Sequence, residues 1–222
     1  MTQGARKVVF ATLNPGKVRE VAGILAGLPV EVVGLRDAGV AELPEETGET
    51  FLDNAILKAA HAFRATGLPA MADDSGLEVA ALGGKPGVHS ARFAGAGHDH
   101  AANIRKLLSD LAGVADRRAR FVCTAVLVGP AGGLPGPGAL PKGILRLDAH
   151  PALPAGAAAI VAEGEVPGRI IDDSRGAGGF GYDPVFFHDG EGATFAEIPE
   201  DRKNALSHRG TAFRGLRTVL DR

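Results

Sequence analysis

The sequence predicts a mixed α/β or α+β protein, and three observations support this prediction. Short runs rich in β-branched and aromatic residues, such as Lys7 to Ala11, alternate with longer segments whose apolar residues recur every three or four positions. The 222 residues are 45% hydrophobic and 23% charged, which is typical of a soluble globular protein with a core. No internal repeat is visible, so we expect one domain, or one domain with an added lobe.

Two helices are predicted in the first third of the chain, and both have recognisable ends. The turn residues Asn14-Pro15-Gly16 precede the first helix. Thr50 and Asp53 form a variant capping box at the start of the second helix, and Gly67 marks its end. The apolar stripes that predict these helices are Val18, Val21, Ala22 and Leu25 in the first, and Leu52, Ala55, Ile56, Ala59 and Phe63 in the second.

The rest of the chain contains two more predicted helices and one irregular segment. The third helix closes at Gly113, and the fourth lies at the C-terminal end. Residues 129–158 are rich in Gly, Pro and Ala, which predicts an exposed, mobile excursion rather than packed structure. The apolar stripes of the two helices are Ile104, Leu107, Leu108 and Leu111, and Phe213, Leu216 and Leu220. Strands are predicted at 7–11, 30–33, 70–72, 77–82, 121–128, 160–166 and 185–187.

Composition and charge exclude several classes of protein. The net charge of −2 argues against a general nucleic-acid binder, which needs many basic side chains to contact phosphates. Cys123 is the single cysteine, so no internal disulfide can form, and its apolar neighbours predict a buried, unreactive thiol. No run of about 18 apolar residues is present to span a bilayer, and the first strand begins too early to leave room for a signal peptide. We therefore expect a cytoplasmic protein that binds neither nucleic acid nor membranes.

The segment between the first strand and the first helix is a candidate anion site. A helix N-terminus presents free backbone N–H groups and the positive end of the helix dipole, both of which suit a phosphate. Lys17 would add a full positive charge. The spacing of a Walker A loop is absent, and an ordinary turn is the alternative interpretation. The candidate residues are Thr12, Leu13, Asn14, Pro15, Gly16 and Lys17.

Two pairs of adjacent carboxylates are candidates for metal binding and proton transfer. Glu45-Glu46 precede the second helix, and Asp73-Asp74 are expected on a loop that follows the third strand. Carboxylates on such loops hold Mg²⁺ together with waters and substrate phosphates, while one carboxylate can take a proton from an attacking water. A solvated surface loop also explains the two glutamates. The two aspartates favour a functional site because adjacent like charges beside an apolar run need a compensating cation or donors.

Two segments in the last quarter of the chain carry further candidates. Residues 176–181 match G-x-G-x-x-G, but the Tyr and Asp that follow do not begin a helix, so the pattern does not indicate dinucleotide binding. Gly178 to Pro184 instead carries the chain's one Tyr beside a Phe, which would form a wall for a planar base, with a structural turn as the alternative. Lys203 and Ser207-His208-Arg209-Gly210 offer donors to phosphates or to a purine carbonyl, although an exposed helix end explains them equally well.

Taken in order, these segments resemble the inosine triphosphate pyrophosphatase family, the noncanonical purine NTP pyrophosphatases. The likeness runs from about residue 7 to the C-terminus, except for the excursion at 129–158. Leu13 departs from the small residue, usually Gly, that the family commonly has there. The matching stretches are 9–20, Glu45 to Gly48, Phe51 to Ala59, Ala72 to Leu77, Gly83 to Gly95, Gly178 to Pro184, and Ser207 to Gly210.

The resemblance implies a fold, a reaction and a set of roles. The fold would be an elongated, mixed-sheet α/β structure of two lobes with a central nucleotide cleft, forming a homodimer. ITP, dITP and XTP would be hydrolysed to the monophosphate and pyrophosphate with Mg²⁺ as cofactor. Asp74 would accept the proton, and Glu45 with Asp73 or Asp74 would hold the metal. The implied substrate contacts are Thr12 to Lys17, Lys58, Ser75, Phe180, Gly181, Tyr182, Asp183, Lys203, His208 and Arg209.

Two other functions are compatible with the same residues. A related pyrophosphatase of the Maf-like type would act on pyrimidine or modified nucleotides, but the elements Phe180 to Pro184 and Ser207 to Gly210 favour the purine enzyme. A non-catalytic nucleotide sensor would not need to keep Lys17, Glu45 and both aspartates. The sequence does not explain how a site built for a 6-oxo purine would exclude GTP.

Overall fold

A computed structural model describes residues 5–96 and 99–221 and confirms a mixed α/β fold. The first four residues, which belong to the segment expected to be too short for a signal peptide, lie outside this range. The strands are β1 (Arg6–Phe10), β2 (Val30–Gly34), β3 (Ala70–Val79), β4 (Arg118–Pro130), β5 (Ile144–Leu147), β6 (Ala157–Ile170), β7 (Phe186–His188) and β8 (Ala193–Thr194). The α-helices are α1 (Pro15–Ile24), α2 (Phe51–Thr66), α3 (His100–Asp110), α4 (Glu200–Leu206) and α5 (His208–Leu220), with short 3₁₀ helices at Ala80–Leu82, Gly87–Arg92, Ala131–Gly133 and Pro137–Ala139.

The sheet is mixed because its strands pair in both senses. The strand order is β2-β1-β3-β4-β6-β7-β8, with β5 also paired to β6. Strand β1 runs parallel to β2 and to β3, with Val9 opposite Val33 and Ala70. The β5–β6, β6–β7 and β7–β8 pairs are antiparallel. The parallel pairs follow from the helical crossovers that α1 and α2 provide in the first third of the chain.

The chain divides into two compact units. Unit 1 comprises Met1–Asp74, Thr124–Gly164 and Arg209–Arg222, and unit 2 comprises Ser75–Cys123 and Glu165–His208. Each unit has its own apolar core.

The core of unit 1 is built around α2. Thr50 and Asp53 form the predicted capping box, and Gly67 ends the helix in the left-handed conformation at φ 69°. Ala55, Ile56 and other small or branched residues of its inner face are fully buried against β1, β3 and β4. Small alanine side chains permit close helix–sheet packing, so α2 is a rigid base for the polar residues that it also carries.

The core of unit 2 is rich in aromatic rings. Phe121 lies 4.5 Å from Phe186 and 5.8 Å from Phe195, measured between ring centroids. Tyr182 is part of the same cluster and is 4% exposed. Such edge and stacked contacts stabilise a small core beyond simple burial.

Two expectations about secondary structure are corrected, and some short elements were not predicted. The two aspartates do not follow a strand on a loop: Asp73 and Asp74 lie inside β3, one continuous strand that replaces the separate strand predicted at 77–82. Helix α4 and strand β8 were not predicted, because both are short and lack a clear apolar period.

Across the described residues, no helix is long and apolar enough to cross a membrane.

The segment 129–158 also contains packed structure, contrary to prediction. Strand β5 pairs with β6, and Leu147 and Leu153 pack against the core of unit 1. Arg146, whose side chain is 10% exposed, donates to the carbonyl oxygens of Ala131, Leu134 and Pro135 at 2.8–3.0 Å. The mostly buried guanidinium of Arg146 therefore fixes the backbone of a Gly/Pro-rich segment that its composition predicts to be irregular.

Candidate active site

The loop before α1 is ordered by its own polar side chains. Asn14 Oδ1 accepts hydrogen bonds from the backbone N–H groups of Gly16 at 2.8 Å and Lys17 at 3.4 Å. Thr12 Oγ1 accepts a bond from the Asn14 N–H at 3.2 Å, and Pro15 opens the helix. The predicted anion site is therefore a fixed loop, but two of the N–H groups expected to be free are bonded to Asn14.

The position of the two aspartates within β3 separates their roles. Successive side chains of a strand point to opposite faces of the sheet. Accordingly, Asp73 contacts residues of α1 and α5, whereas Asp74 contacts residues of α2. Adjacent carboxylates that would repel one another on a loop are thus paired with different cations.

Asp73 is the centre of a buried ion cluster in unit 1. Its two oxygens lie 3.0 and 3.2 Å from Lys17 Nζ, and Oδ2 also accepts from Arg209 Nε at 3.1 Å. Arg209 Nη1 in turn donates to Glu20 Oε2 at 3.2 Å. The Asp73 side chain is only 1% exposed. The strand, α1 and the start of α5 are therefore joined through four alternating charges.

The charges of this cluster shift the pKa values of its members. Burial alone would raise the pKa of Asp73, but the positive charges of Lys17, Arg209 and Lys58 outweigh it and hold the pKa well below the usual range. Burial lowers the pKa of Lys17, aided by Arg209 and Lys58, despite the opposing charge of Asp73. Asp73 is consequently a permanent anion at physiological pH.

Asp74 belongs to a second polar cluster built on α2. Lys58 Nζ lies 3.1 Å from Asp74 Oδ1 and 2.5 Å from Glu46 Oε1, so one ammonium bridges two carboxylates. Asn54 Nδ2 donates to the other Asp74 oxygen at 3.2 Å. Asn54 and Lys58 are four residues apart and occupy one helix face, where both are buried. This face presents a donor to each oxygen of Asp74.

The pKa of Asp74 shifts in the opposite direction to that of Asp73. Burial raises the pKa of Asp74, and the negative charge of Glu46 raises it further, although Lys58 acts against both. Burial lowers the pKa of Lys58, but the charges of Asp74, Glu46 and Asp73 together raise it above its ordinary value. Of the two aspartates, Asp74 is therefore the better proton acceptor.

The glutamate loop is held close to α2 by a glycine. The Gly48 N–H donates to Asn54 Oδ1 at 2.8 Å, so Asn54 connects this loop to Asp74. A Cβ atom at position 48 would lie 2.6 Å from Asn54 Oδ1 and from Asp53 Cβ. Only glycine permits this approach, which places Glu46 on Lys58 and leaves the neighbouring Glu45 exposed.

The carboxylates differ in how well they would fit a divalent cation. Both oxygens of Asp73 already face an ammonium or a guanidinium, so this residue fits a structural anion better than a metal ligand. Asp74, Glu46 and the exposed Glu45 are hard oxygen donors of the kind that Mg²⁺ takes in ones and twos beside waters and phosphates. Between residues 5 and 96 and from 99 to 221, no group of three or more His, Cys, Asp or Glu side chains forms a complete metal cage.

Unit 2 contains a second candidate group around an exposed aromatic ring. Phe180 is 46% exposed, and Lys203 Nζ lies 5.1 Å from its ring centroid. The buried Asp183 accepts hydrogen bonds from Lys203 Nζ at 2.6 Å and from the Phe180 N–H at 2.8 Å. A Cβ at Gly179 would lie 2.1 Å from the Asp183 carboxylate, so this turn requires glycine. The arrangement presents a ring face and an ammonium held by one buried carboxylate.

The other predicted base contacts of unit 2 are more buried than expected. Tyr182 packs in the core, where its hydroxyl donates to the Ser90 carbonyl at 2.9 Å, so Phe180 alone supplies the exposed ring. His208 is also buried, and its ring stacks on Phe121 with centroids 4.9 Å apart and planes 13° apart. Both side chains are therefore buried in unit 2.

The predicted site residues fall into two groups, one in each unit. Arg209, which the resemblance places around the base, shares the ion cluster of Asp73 and Lys17. Asn54 and Glu20 were not predicted as site residues, and Glu46 was a candidate only as part of the pair Glu45-Glu46. A polar residue on the otherwise apolar face of the second helix was a usable signal for Asn54. Unit 1 holds Thr12 to Lys17, Glu45, Lys58, Asp73, Asp74 and Arg209, and unit 2 holds Ser75, Phe180 to Asp183, Lys203 and His208.

Known proteins are similar to this chain over almost its whole length. The model of the Ham1 family matches residues 8–219. A dITP/XTP pyrophosphatase of Shigella flexneri is 45% identical over 217 residues, covering 97% of this chain and 98% of that protein, and its counterpart in Pectobacterium atrosepticum is 46% identical with the same coverage. Among solved structures, a HAM1 protein from Coxiella burnetii matches with a TM-score of 0.80 and 38% identity over 97% of this chain and 98% of that one. The Ham1 protein of Staphylococcus aureus matches with a TM-score of 0.78 and 36% identity, again over 97% of this chain and 98% of that one. The chain belongs to the Ham1 family.

Proposed function

We propose that this protein hydrolyses noncanonical purine nucleoside triphosphates, namely ITP, dITP and XTP, to the monophosphate and pyrophosphate. The observation that carries the proposal is the division of the adjacent aspartates in β3. Asp73 fixes two cations, while Asp74 is left as a buried carboxylate of raised pKa. Near-complete matches to relatives named dITP/XTP pyrophosphatases support the reaction and its substrates.

Asp74 is the proton acceptor in this proposal. Its raised pKa brings it nearer to neutral pH, where a general base is most effective, and Lys58 and Asn54 fix its two oxygens. The carboxylate would orient a water and take its proton as the water attacks the α-phosphorus in line. Lys17, with the ordered loop before α1, would stabilise the charge that develops on the leaving pyrophosphate.

Mg²⁺ is part of the proposal, and Asp74 with the glutamate pair Glu45-Glu46 would hold it. When bound, the ion would neutralise phosphate charge and polarise the phosphoryl oxygens. Asp73 is left out of this set because both of its oxygens face cations.

Recognition of the base is assigned in this proposal to Phe180 and Lys203. Phe180 offers a ring face for stacking, and Lys203 offers an ammonium to a purine carbonyl oxygen. Donors placed for a 6-oxo group are left unpaired by the 6-amino group of adenine, a mismatch that strongly disfavours ATP. From the resemblance to the purine pyrophosphatases, we also propose that the protein is cytoplasmic and forms a homodimer.

A substrate panel tests the reaction, and one substitution tests the assigned base. With Mg²⁺ and ITP, XTP, GTP, ATP or dTTP, we expect pyrophosphate from ITP and XTP. Preference for dTTP would favour a pyrimidine-directed relative, and tight binding without product would favour a sensor. Orthophosphate as first product would mean that a different phosphorus is attacked.

Asp74→Asn keeps the shape of the side chain but removes the base. We expect it to abolish turnover while ITP binding is largely preserved. The control is Asp148→Asn, which changes an exposed acid of the same unit. Near-normal activity in Asp74→Asn would remove Asp74 from the mechanism.

A further inference from the structure

Glu20 is a nearly buried acid with no role in the reaction described above. It lies on α1, three residues after Lys17, so both side chains project from one face of the helix. Its carboxylate lies 3.2 Å from Arg209 Nη1, and the two side chains are 11% and 5% exposed. A side chain held this firmly beside the candidate phosphate loop requires an explanation.

Electrostatic attraction of the substrate gives no reason for an acid at this place. A nucleoside triphosphate is a polyanion, and a nearby carboxylate repels it. Asp73 and Glu20 both lie beside the cations that would attract the substrate. If they acted only through their charge, removing either one would strengthen the binding of triphosphate.

The geometry points to orientation instead. The guanidinium of Arg209 is a planar fork, and Asp73 holds it at Nε while Glu20 holds it at Nη1. Two anchors at different nitrogens fix both the position and the plane of the group. Preorganised donors lose less entropy when a ligand binds, so this fixation increases affinity.

We propose that Glu20 is a positioning residue that, with Asp73, fixes the plane of Arg209 for contact with the bound nucleoside triphosphate. Glu20 itself touches neither substrate nor metal. This inference rests on the proposed function, since it assumes that a triphosphate binds beside Lys17 and Arg209.

A double-mutant cycle tests the proposal. The affinity for ITP is measured without Mg²⁺, so that turnover does not interfere with the measurement. ITP binding is measured by calorimetry for the wild type, Glu20→Gln, Arg209→Gln and the double variant. We expect Glu20→Gln to weaken ITP binding about tenfold, within the range measured for contacting residues, and to have no further effect when Arg209 is already replaced. Glu31→Gln, an exposed acid of the same unit, is the matched control and should bind as the wild type does.

Two results would overturn the assignment. Equal or tighter ITP binding by Glu20→Gln would mean that Glu20 acts through its charge or not at all, and an equal loss in the Arg209→Gln background would mean that it does not act through Arg209. Glu20→Asp keeps the charge and should recover part of the affinity, which separates positioning from a general folding defect.

Hydrolysis assays separate this inference from the proposed function. The Mg²⁺ concentration for half-maximal activity should be unchanged in Glu20→Gln, whereas an increase would indicate a metal ligand. If the wild type binds ITP but releases no pyrophosphate, the proposed function fails while the double-mutant cycle still decides the role of Glu20.

Discussion

Replacing Asp73 by Asn should destabilise the protein far more than an ordinary lost ion pair. The substitution preserves shape but removes the anion that Lys17 and Arg209 share, leaving two mostly buried cations beside a neutral amide. Removing one partner of a buried pair typically costs about 3–5 kcal/mol. We expect about 3 kcal/mol, the lower end, because Arg209 keeps Glu20 and the Lys17 side chain is still 21% exposed.

Urea unfolding followed by far-ultraviolet circular dichroism measures this difference. The control is Asp148→Asn, whose partner Arg146 keeps three carbonyl acceptors and whose own side chain is 60% exposed, so we expect a loss of at most about 1 kcal/mol. A loss for Asp73→Asn no larger than that of the control would refute the view that Asp73 is the structural anion of the site.

The pH dependence of the same experiment has a definite sign. The pKa of Asp73 is lower in the folded state than in the unfolded chain, so its contribution to stability is complete above the unfolded pKa of about 4. The contribution is lost as pH falls from there toward the folded pKa. The difference between wild type and Asp73→Asn should therefore be constant near neutrality and shrink in acid.

Three further predictions concern the base, the glutamate loop and the exposed ring. Glu46→Gln removes a charge that raises the pKa of Asp74, so the acidic limb of the pH profile of kcat/KM should move to lower pH at saturating Mg²⁺, and movement to higher pH would contradict this account. Gly48→Ala places a methyl group 2.6 Å from Asn54 Oδ1, which should cost about 1–3 kcal/mol in urea unfolding and reduce ITP hydrolysis at least about tenfold; wild-type values for both would show that the loop accommodates a side chain. Phe180→Ala should raise the KM for ITP about tenfold through lost stacking while changing the free energy of unfolding by less than about 0.5 kcal/mol, and an unchanged KM would mean that the ring does not contact the base.

The main elements of the fold could be predicted from the sequence because their signals are local. The apolar stripe, capping box and terminal glycine of α2 lie within a few residues of one another, and the helix begins and ends where they indicate. Strand β5 escaped prediction because its stability comes from pairing with β6 and from the hydrogen bonds of Arg146, which composition does not report.

Some residues of the candidate site could be named from the sequence, but their partners could not. Asp73 and Asp74 stand out in the sequence as adjacent charges, yet which one meets Lys17 and which meets Lys58 depends on their being in a strand. The loop expected at this position would have left the two roles interchangeable. Asn54 was overlooked for a related reason: its two hydrogen bonds connect segments that are distant along the chain.

The burial of Tyr182 makes unit 2 separately observable. The chain contains no Trp and one Tyr, so its intrinsic fluorescence comes from a single phenol enclosed in the core of that unit. Burial raises the pKa of this phenol well above the value of about 10 that it has in an unfolded chain. At a pH just above about 10, tyrosinate absorbance would therefore report the opening of unit 2, and its comparison with circular dichroism would reveal whether the two units unfold together or in turn.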